Sequence, residues 1–178
     1  MNELNRKILV TFVVFMLVAM LATPVMAKPE NGPNKVAVTV TMTRNVASDG
    51  GGTGIQLDPP VFTGLIIHAH VEQHFTTTIE FADGSTLDGT IVVDRKIVNI
   101  KTGSRVILTD HYVFTFNDGD AGFEGNGNVI LDNVNQLSKA YGLFHGTGDF
   151  EGQTLNIGHT WASYVDSVNP WFGYWLKM

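Results

Sequence analysis

The chain lacks several features that would point directly to a function. None of its 178 residues is cysteine, which excludes disulfides, thiolate metal ligands and a cysteine nucleophile. It contains neither a G-x-S-x-G nucleophile elbow nor a phosphate-binding P-loop sequence. Basic residues are scarce, with 11 Lys and Arg against 17 Asp and Glu and a formal net charge of −6. Without a basic cluster, nucleic acids and anionic lipid surfaces are poor candidates for partners.

One long apolar run is present, and it lies at the N-terminus. Arg6 and Lys7 precede the apolar segment 8–22, and Val25-Met26-Ala27 lies just beyond it, with small side chains at its first and last positions. This order is typical of a secretory signal peptide, so we predict that residues 1–27 are removed after Ala27. A retained membrane anchor is the alternative. The run is shorter than the roughly 20 residues that span a bilayer, however, and Thr23-Pro24 ends it.

The predicted signal peptide sets the expected location of the rest of the chain. An exported protein with neither cysteine nor an Asn-x-Ser/Thr glycosylation sequence is more typical of a prokaryote, so we expect a secreted or cell-envelope protein. Residues 28–34 hold two prolines and one glycine and are predicted to be a linker. The segment 35–178 has the size of one ordinary domain.

Period-two patterns predict strands through this domain. From Lys35, valines and Met42 alternate with alanine and threonines, as in a half-buried strand. A longer pattern covers residues 65–81, where one face is apolar and the other carries polar side chains. The apolar face consists of Leu65, Ile67, Ala69, Val71, Phe75, Ile79 and Phe81, with Gln73 and Thr77 as its polar members.

Short turns join the predicted strands. Asp83-Gly84 and Asp118-Gly119 supply the positive φ angles of tight hairpins, and Asp58-Pro59-Pro60 is expected to delay the next strand. Residues 134–140 are the segment that could form a helical turn. Many consecutive strands with short turns predict an all-β fold, an antiparallel meander closed into one barrel of about eight strands. A two-sheet β-sandwich is the alternative.

A glycine-rich motif gives a family resemblance. Gly146-Thr147-Gly148-Asp149-Phe150-Glu151-Gly152 comes after a strand with Tyr141 and Phe144, and it resembles the G-x-G-x-[FY]-x-G/A start of a late strand in the allene oxide cyclase and dirigent barrels. The resemblance implies an eight-stranded barrel whose partly apolar lumen is open at one end. None of that family's catalytic positions can be matched here, so no activity is carried over.

Three histidines share one face of the second strand region. His68, His70 and His74 alternate with apolar residues, so neighbours on this face lie about 7 Å apart and two imidazoles could chelate a divalent transition metal. Because the opposite face is the apolar one, a solvated outer face of the barrel wall explains them better. We therefore expect no cofactor, with a metal as the alternative.

Asp110 and the C-terminal tail are the other unusual features. Asp110 shares its parity with Leu108 and Tyr112, which predicts either an acid inside the barrel or, preferably, a bulge that turns it outward. The tail 169–178 is rich in Trp, Phe, Tyr and Leu, and we expect it to close the barrel over its mouth or side. Dimer formation or contact with a membrane interface is the alternative use of the tail.

Three functions from different classes are compatible with these patterns. The first, which we favour, is a binding module that holds a small apolar or amphipathic ligand in the barrel lumen. The second is a cyclase-like, isomerase-like or metal-dependent enzyme that uses the His68 and His70 strand. The third is a structural or interaction protein that binds a partner through the aromatic tail.

Overall fold

The computed structural model describes residues 35–49, 54–100, 103–163 and 170–177. The predicted signal peptide (1–27) and linker (28–34) lie outside these residues. The described part forms strands β1 (Lys35–Arg44), β2 (Ile55–Thr63), β3 (Ile66–Phe81), β4 (Thr86–Ile100), β5 (Arg105–Phe116), β6 (Ala121–Asp132), β7 (Leu137–Gly148), β8 (Thr154–Ser163) and β9 (Trp171–Leu176), with one 3₁₀ turn at Asn117–Gly119. The all-β prediction is confirmed. No helix in these ranges is long and apolar enough to span a bilayer.

Eight of the strands form a closed barrel. All neighbours pair antiparallel, in the order β1-β9-β8-β7-β6-β5-β4-β3. β1 then pairs with β3, from Val38 opposite Phe81 to Arg44 opposite Phe75, and this pairing closes the sheet on itself. The predicted meander and barrel are confirmed, and the sandwich alternative is wrong.

β2 lies outside the barrel as an added strand. It pairs with the first part of β3, from Ile55 opposite Glu72 to Thr63 opposite Ile66, and all its residues are exposed. The expectation that Asp58-Pro59-Pro60 precedes a strand was wrong, because these residues lie within β2. Prolines cannot donate to a ladder, and the pairing register shifts on either side of Asp58, so β2 tolerates them as an irregular edge strand.

The turns agree with the sequence prediction at some positions and not at others. Gly84 has φ +82°, as the predicted Asp-Gly hairpin requires. The predicted helical turn at 134–140 was wrong, because a tight turn with Gln136 at φ 55° leads directly into β7 at Leu137. Ser138 and Ala140 consequently face the barrel interior.

Aromatic rings fill one end of the lumen. Their ring centroids lie 4.8–6.4 Å apart. The cluster consists of Phe81, Phe116, Phe123, Phe150 and Trp175. Side chains therefore occupy that end of the lumen.

The aromatic tail is part of the barrel wall. β9 pairs with β8 on one side and with β1 on the other, and it points Trp171 and Trp175 inward. The tail therefore closes the barrel as predicted, but as a wall strand rather than as a cover over the mouth.

Candidate functional site

The lumen contains a cavity at the end opposite the ring cluster. Its volume is ≈ 220 Å³, and it lies where β1 ends and β9 begins. Its apolar lining consists of Met42, Phe75, Leu108, Val129, Leu131 and Trp171. Its polar lining consists of Arg95, Tyr112, Ser138 and His159. A concave, mostly apolar space with a few polar groups is the usual form of a small-molecule site.

A buried ion pair forms one polar part of this lining. Arg95 and Asp110 are direct cross-strand partners on β4 and β5. Arg95 Nε and Nη2 donate to the two carboxylate oxygens of Asp110 at 2.9 and 2.6 Å, and Nη1 donates to Gln73 Oε1 at 2.6 Å. The Tyr112 hydroxyl donates to Asp110 Oδ2 at 2.7 Å. Such a bidentate ion pair fixes the orientation of both side chains on the inner face of the barrel.

This network is electrically balanced. Burial alone would lower the pKa of Arg95, but the hydrogen bonds and negative charge of Asp110 hold that pKa above its ordinary value. Burial, and next the charge of Asp110, raises the pKa of Tyr112 well above its ordinary value. Arg95 therefore stays charged, Tyr112 stays neutral, and the positive charge is matched by the carboxylate of Asp110.

The preferred prediction for Asp110 was wrong. β5 pairs with β4 and β6 without a register shift, so no bulge turns this residue outward and its side chain is fully buried. The opposite position on β4 carries Arg95, which supplies the partner that a buried carboxylate needs. The alternative, an acid inside the barrel, is the arrangement observed.

A second polar pair faces the same cavity. Ser138 Oγ and His159 Nε2 lie 2.8 Å apart, and the imidazole ring meets Trp171 edge to face at 5.9 Å between centroids. Burial lowers the pKa of His159, which favours the neutral ring near pH 7. His159 Nδ1 is buried and has no hydrogen-bond partner among the described residues. The β7–β8 pairing shifts register between Ser138 and Ala140, a bulge of the kind that often re-aims side chains at functional sites.

The histidines singled out from the sequence lie on the outer wall. His68 is exposed, and the inward positions of β3 are the odd-numbered ones such as Val71 and Gln73. His70 bridges two carboxylates, with Nδ1 2.6 Å from Asp58 Oδ2 and Nε2 2.6 Å from Asp94 Oδ1. The hydrogen bonds that the His70 ring donates to Asp58, and next those that it donates to Asp94, raise the pKa of His70, so this side chain links β2 to β3 and β4 best when protonated.

His74 belongs to a different contact. Its Nδ1 lies 3.1 Å from Asp49 Oδ1, and its Nε2 lies 3.4 Å from Glu72 Oε1. Burial alone would raise the pKa of Asp49, but hydrogen bonds from Arg44 and His74 together hold it below its ordinary value. Among the described residues, no group of three or more His, Asp and Glu side chains converges as metal ligands. The alternative of a metal at His68, His70 and His74 stays a prediction.

The outer wall also carries an aromatic depression of ≈ 360 Å³. Tyr141 on β7, Gly158 on β8 and Phe172 on β9 are cross-strand neighbours there. Tyr141 is 52% exposed and Phe172 40%, and the glycine between them leaves a shallow slot. A small apolar molecule could also lie in this depression.

Parity in the sequence could have found two lumen residues that were not predicted. Arg95 shares its parity with Ile91 and Val93, and His159 shares its parity with Leu155 and Ile157. Ser138 was not considered as a lumen residue, because it lies in the segment 134–140 that could have formed a helical turn. The motif 146–152 ends β7 and forms the turn before β8.

Searches for related proteins add no further constraint. No protein family, characterised protein or solved structure matches this chain. The resemblance to allene oxide cyclase and dirigent barrels therefore stays a prediction.

Proposed function

We propose that this protein is an exported binding module that holds one small, largely apolar ligand in the lumen of its barrel. The observation that carries the proposal is the cavity of ≈ 220 Å³ at one end of a lumen whose other end is filled with aromatic rings. Eight-stranded barrels are just wide enough either to be filled by side chains or to hold one small ligand. This barrel combines the two arrangements along its axis.

The cavity volume sets the size of the ligand. An apolar cavity of about 150 Å³ holds benzene, so by proportion the space here accommodates roughly nine non-hydrogen atoms. Six of the ten lining residues are apolar, and Trp171, Phe75 and Tyr112 present rings to the cavity. A compact aromatic or cyclic molecule therefore fits this space better than an extended chain.

Thermal denaturation with a neutral probe tests the proposal. We expect toluene to raise the melting temperature of the intact barrel, because a ligand at ten times its Kd stabilises the folded state by about 1.4 kcal/mol. For a domain of this size, such a stabilisation corresponds to a shift of about 3–5 °C.

A matched pair of variants locates the effect. Val129→Phe places a ring in the cavity, whereas Val113→Phe makes the same change on the outer wall of β5, where Val113 is exposed. We expect Val129→Phe to abolish the toluene-induced shift and Val113→Phe to keep it. Equal shifts in both variants, or no shift in the wild type, would contradict the proposal.

Export is the other half of the proposal and rests on the N-terminal sequence. The basic start, apolar run and Val25-Met26-Ala27 predict a mature chain that begins at Lys28, outside the cytoplasm of a prokaryotic cell. Mass spectrometry of the protein from its native host tests this directly. An intact N-terminus at Met1 would contradict export by this route.

A further inference from the structure

We propose that the ligand is electrically neutral and carries a hydroxyl group, which hydrogen-bonds to His159 Nδ1. Phenols and small cyclic alcohols are the chemical class that meets these requirements. This inference rests on the proposed lumen site and specifies what that site selects.

Neutrality is inferred from the state of the charged groups at the cavity. The Arg95 donors are directed to Asp110 and Gln73, and the Asp110 oxygens accept from Arg95 and Tyr112. A carboxylate ligand would find Arg95 already neutralised, and an ammonium ligand would find Asp110 already neutralised. Either ion would lose its hydration without gaining a free counter-charge.

The hydroxyl is inferred from the histidine. Nε2 is joined to Ser138 Oγ, while Nδ1 is buried beside the cavity that His159 lines and has no hydrogen-bond partner within the described part of the chain. A neutral imidazole has one donor and one acceptor nitrogen, so Nδ1 carries either a proton or a lone pair, depending on which way the serine hydrogen bond runs. A hydroxyl both donates and accepts and satisfies Nδ1 in either case. A carbonyl oxygen only accepts, so it could pair with Nδ1 only when Nδ1 carries the proton.

The binding of p-cresol, toluene and benzoate, measured by calorimetry at pH 7.5, tests this inference. The first two ligands differ by one hydroxyl, and a phenol with its ordinary pKa near 10 is neutral at this pH. We expect p-cresol to bind about three- to tenfold more tightly than toluene, the usual net effect of one hydrogen bond. We expect benzoate to bind at least tenfold more weakly than p-cresol, because its charge finds no free counter-charge in the cavity. A tenfold difference in Kd corresponds to roughly 1.4 kcal/mol of binding free energy.

His159→Phe is the variant that assigns the hydroxyl to its partner. It keeps an aromatic ring beside Trp171 and removes both ring nitrogens. We expect the preference for p-cresol to disappear in this variant while toluene still binds. A preference that persists in His159→Phe would overturn the anchoring role of His159.

The results in the wild type separate this inference from the proposed function. Equal binding of p-cresol and toluene would overturn the hydroxyl inference and leave the lumen site standing. Binding of neither would overturn the proposed function itself. Tighter binding of benzoate than of p-cresol would overturn the argument for a neutral ligand.

A spectroscopic measurement in the wild type does not depend on how the variant folds. The ¹⁵N resonance of His159 Nδ1 should shift when p-cresol is added and stay nearly constant with toluene, because a new hydrogen bond changes the nitrogen's electronic environment. His145, which is exposed on β7, serves as the internal control. An unchanged Nδ1 resonance at saturating p-cresol would overturn the inference.

Discussion

Replacing Arg95 with methionine removes the guanidinium that pairs with Asp110 inside the barrel. The change keeps a long apolar side chain against the cavity but takes away both hydrogen bonds to the carboxylate, at 2.9 and 2.6 Å. Asp110 would keep the Tyr112 hydroxyl as its hydrogen-bond partner. The Asp110 side chain is not exposed to water, so no solvent molecule replaces the lost guanidinium. The carboxylate must then remain charged in an apolar lumen or take up a proton, and both cost free energy.

The expected magnitude is large for a single substitution. Removing one member of a buried ion pair typically costs about 3–5 kcal/mol, because the partner is left as an uncompensated charge. We therefore expect Arg95→Met to lower the free energy of unfolding by about 3–5 kcal/mol, a large part of the roughly 5–15 kcal/mol that a domain has. The triple variant Arg95→Met, Asp110→Leu, Tyr112→Phe removes the whole network and should recover most of this loss.

Urea denaturation monitored by circular dichroism measures these differences through the transition midpoint. His111→Gln is the matched control on the outer wall, where the histidine lies 3.1 Å from Glu124 and both side chains are about half exposed. We expect that control to change stability by less than about 1 kcal/mol. Two results would refute the argument that Arg95 stabilises the buried Asp110 carboxylate. One is a loss of less than about 1 kcal/mol in Arg95→Met, and the other is a triple variant that is less stable than Arg95→Met alone.

Two further predictions concern the wall. Trp175→Ala should lower the free energy of unfolding in urea by about 3–5 kcal/mol, because Trp175 is 2% exposed within the ring cluster. Phe172→Ala on the outer face of β9 should lower it by less than half as much, and equal losses would contradict the assignment of the two faces. Because Asp58 and Asp94 raise the folded-state pKa of His70 above 6.5, its stabilising contribution is fully present below pH 6.5 and is lost as the pH rises through that raised pKa. The melting temperature of the wild type should thus exceed that of His70→Gln most at pH 5.5 and least at pH 9, and a difference that grows with pH would contradict the role of His70 in fastening β2.

Much of the wall could be predicted from alternation alone. The period-two pattern of residues 65–81 placed apolar side chains such as Val71 and Ile79 inside and the histidines outside, because strand side chains point to opposite faces by geometry. The prediction was wrong at the start of the pattern, because Leu65 lies in the turn before β3 and is 66% exposed. The closure of the barrel could be predicted from the number of strands and from short turns such as Asp83-Gly84. These features depend on local sequence and needed no knowledge of distant partners.

The candidate site depends on contacts between strands and was harder to predict. Asp110 was expected outside because its partner, Arg95, lies 15 positions away and becomes a neighbour only through the β4–β5 register. Ser138 and His159 meet across a register shift that no local pattern indicates. The pairing of β3 with both β1 and β2 likewise depends on where each partner strand ends along β3.

The central claim is that a small ligand occupies the lumen rather than the outer wall, and intermolecular nuclear Overhauser effects measure this most directly. With p-cresol present at saturation, we expect contacts from its ring protons to the methyl groups of Leu108, Val129 and Leu131, which line the cavity. Leu143 and Leu176 are exposed on the outer wall of β7 and β9, and they should show none. Contacts confined to Leu143 or Leu176, or the absence of any contact to the three lumen residues, would contradict the claim.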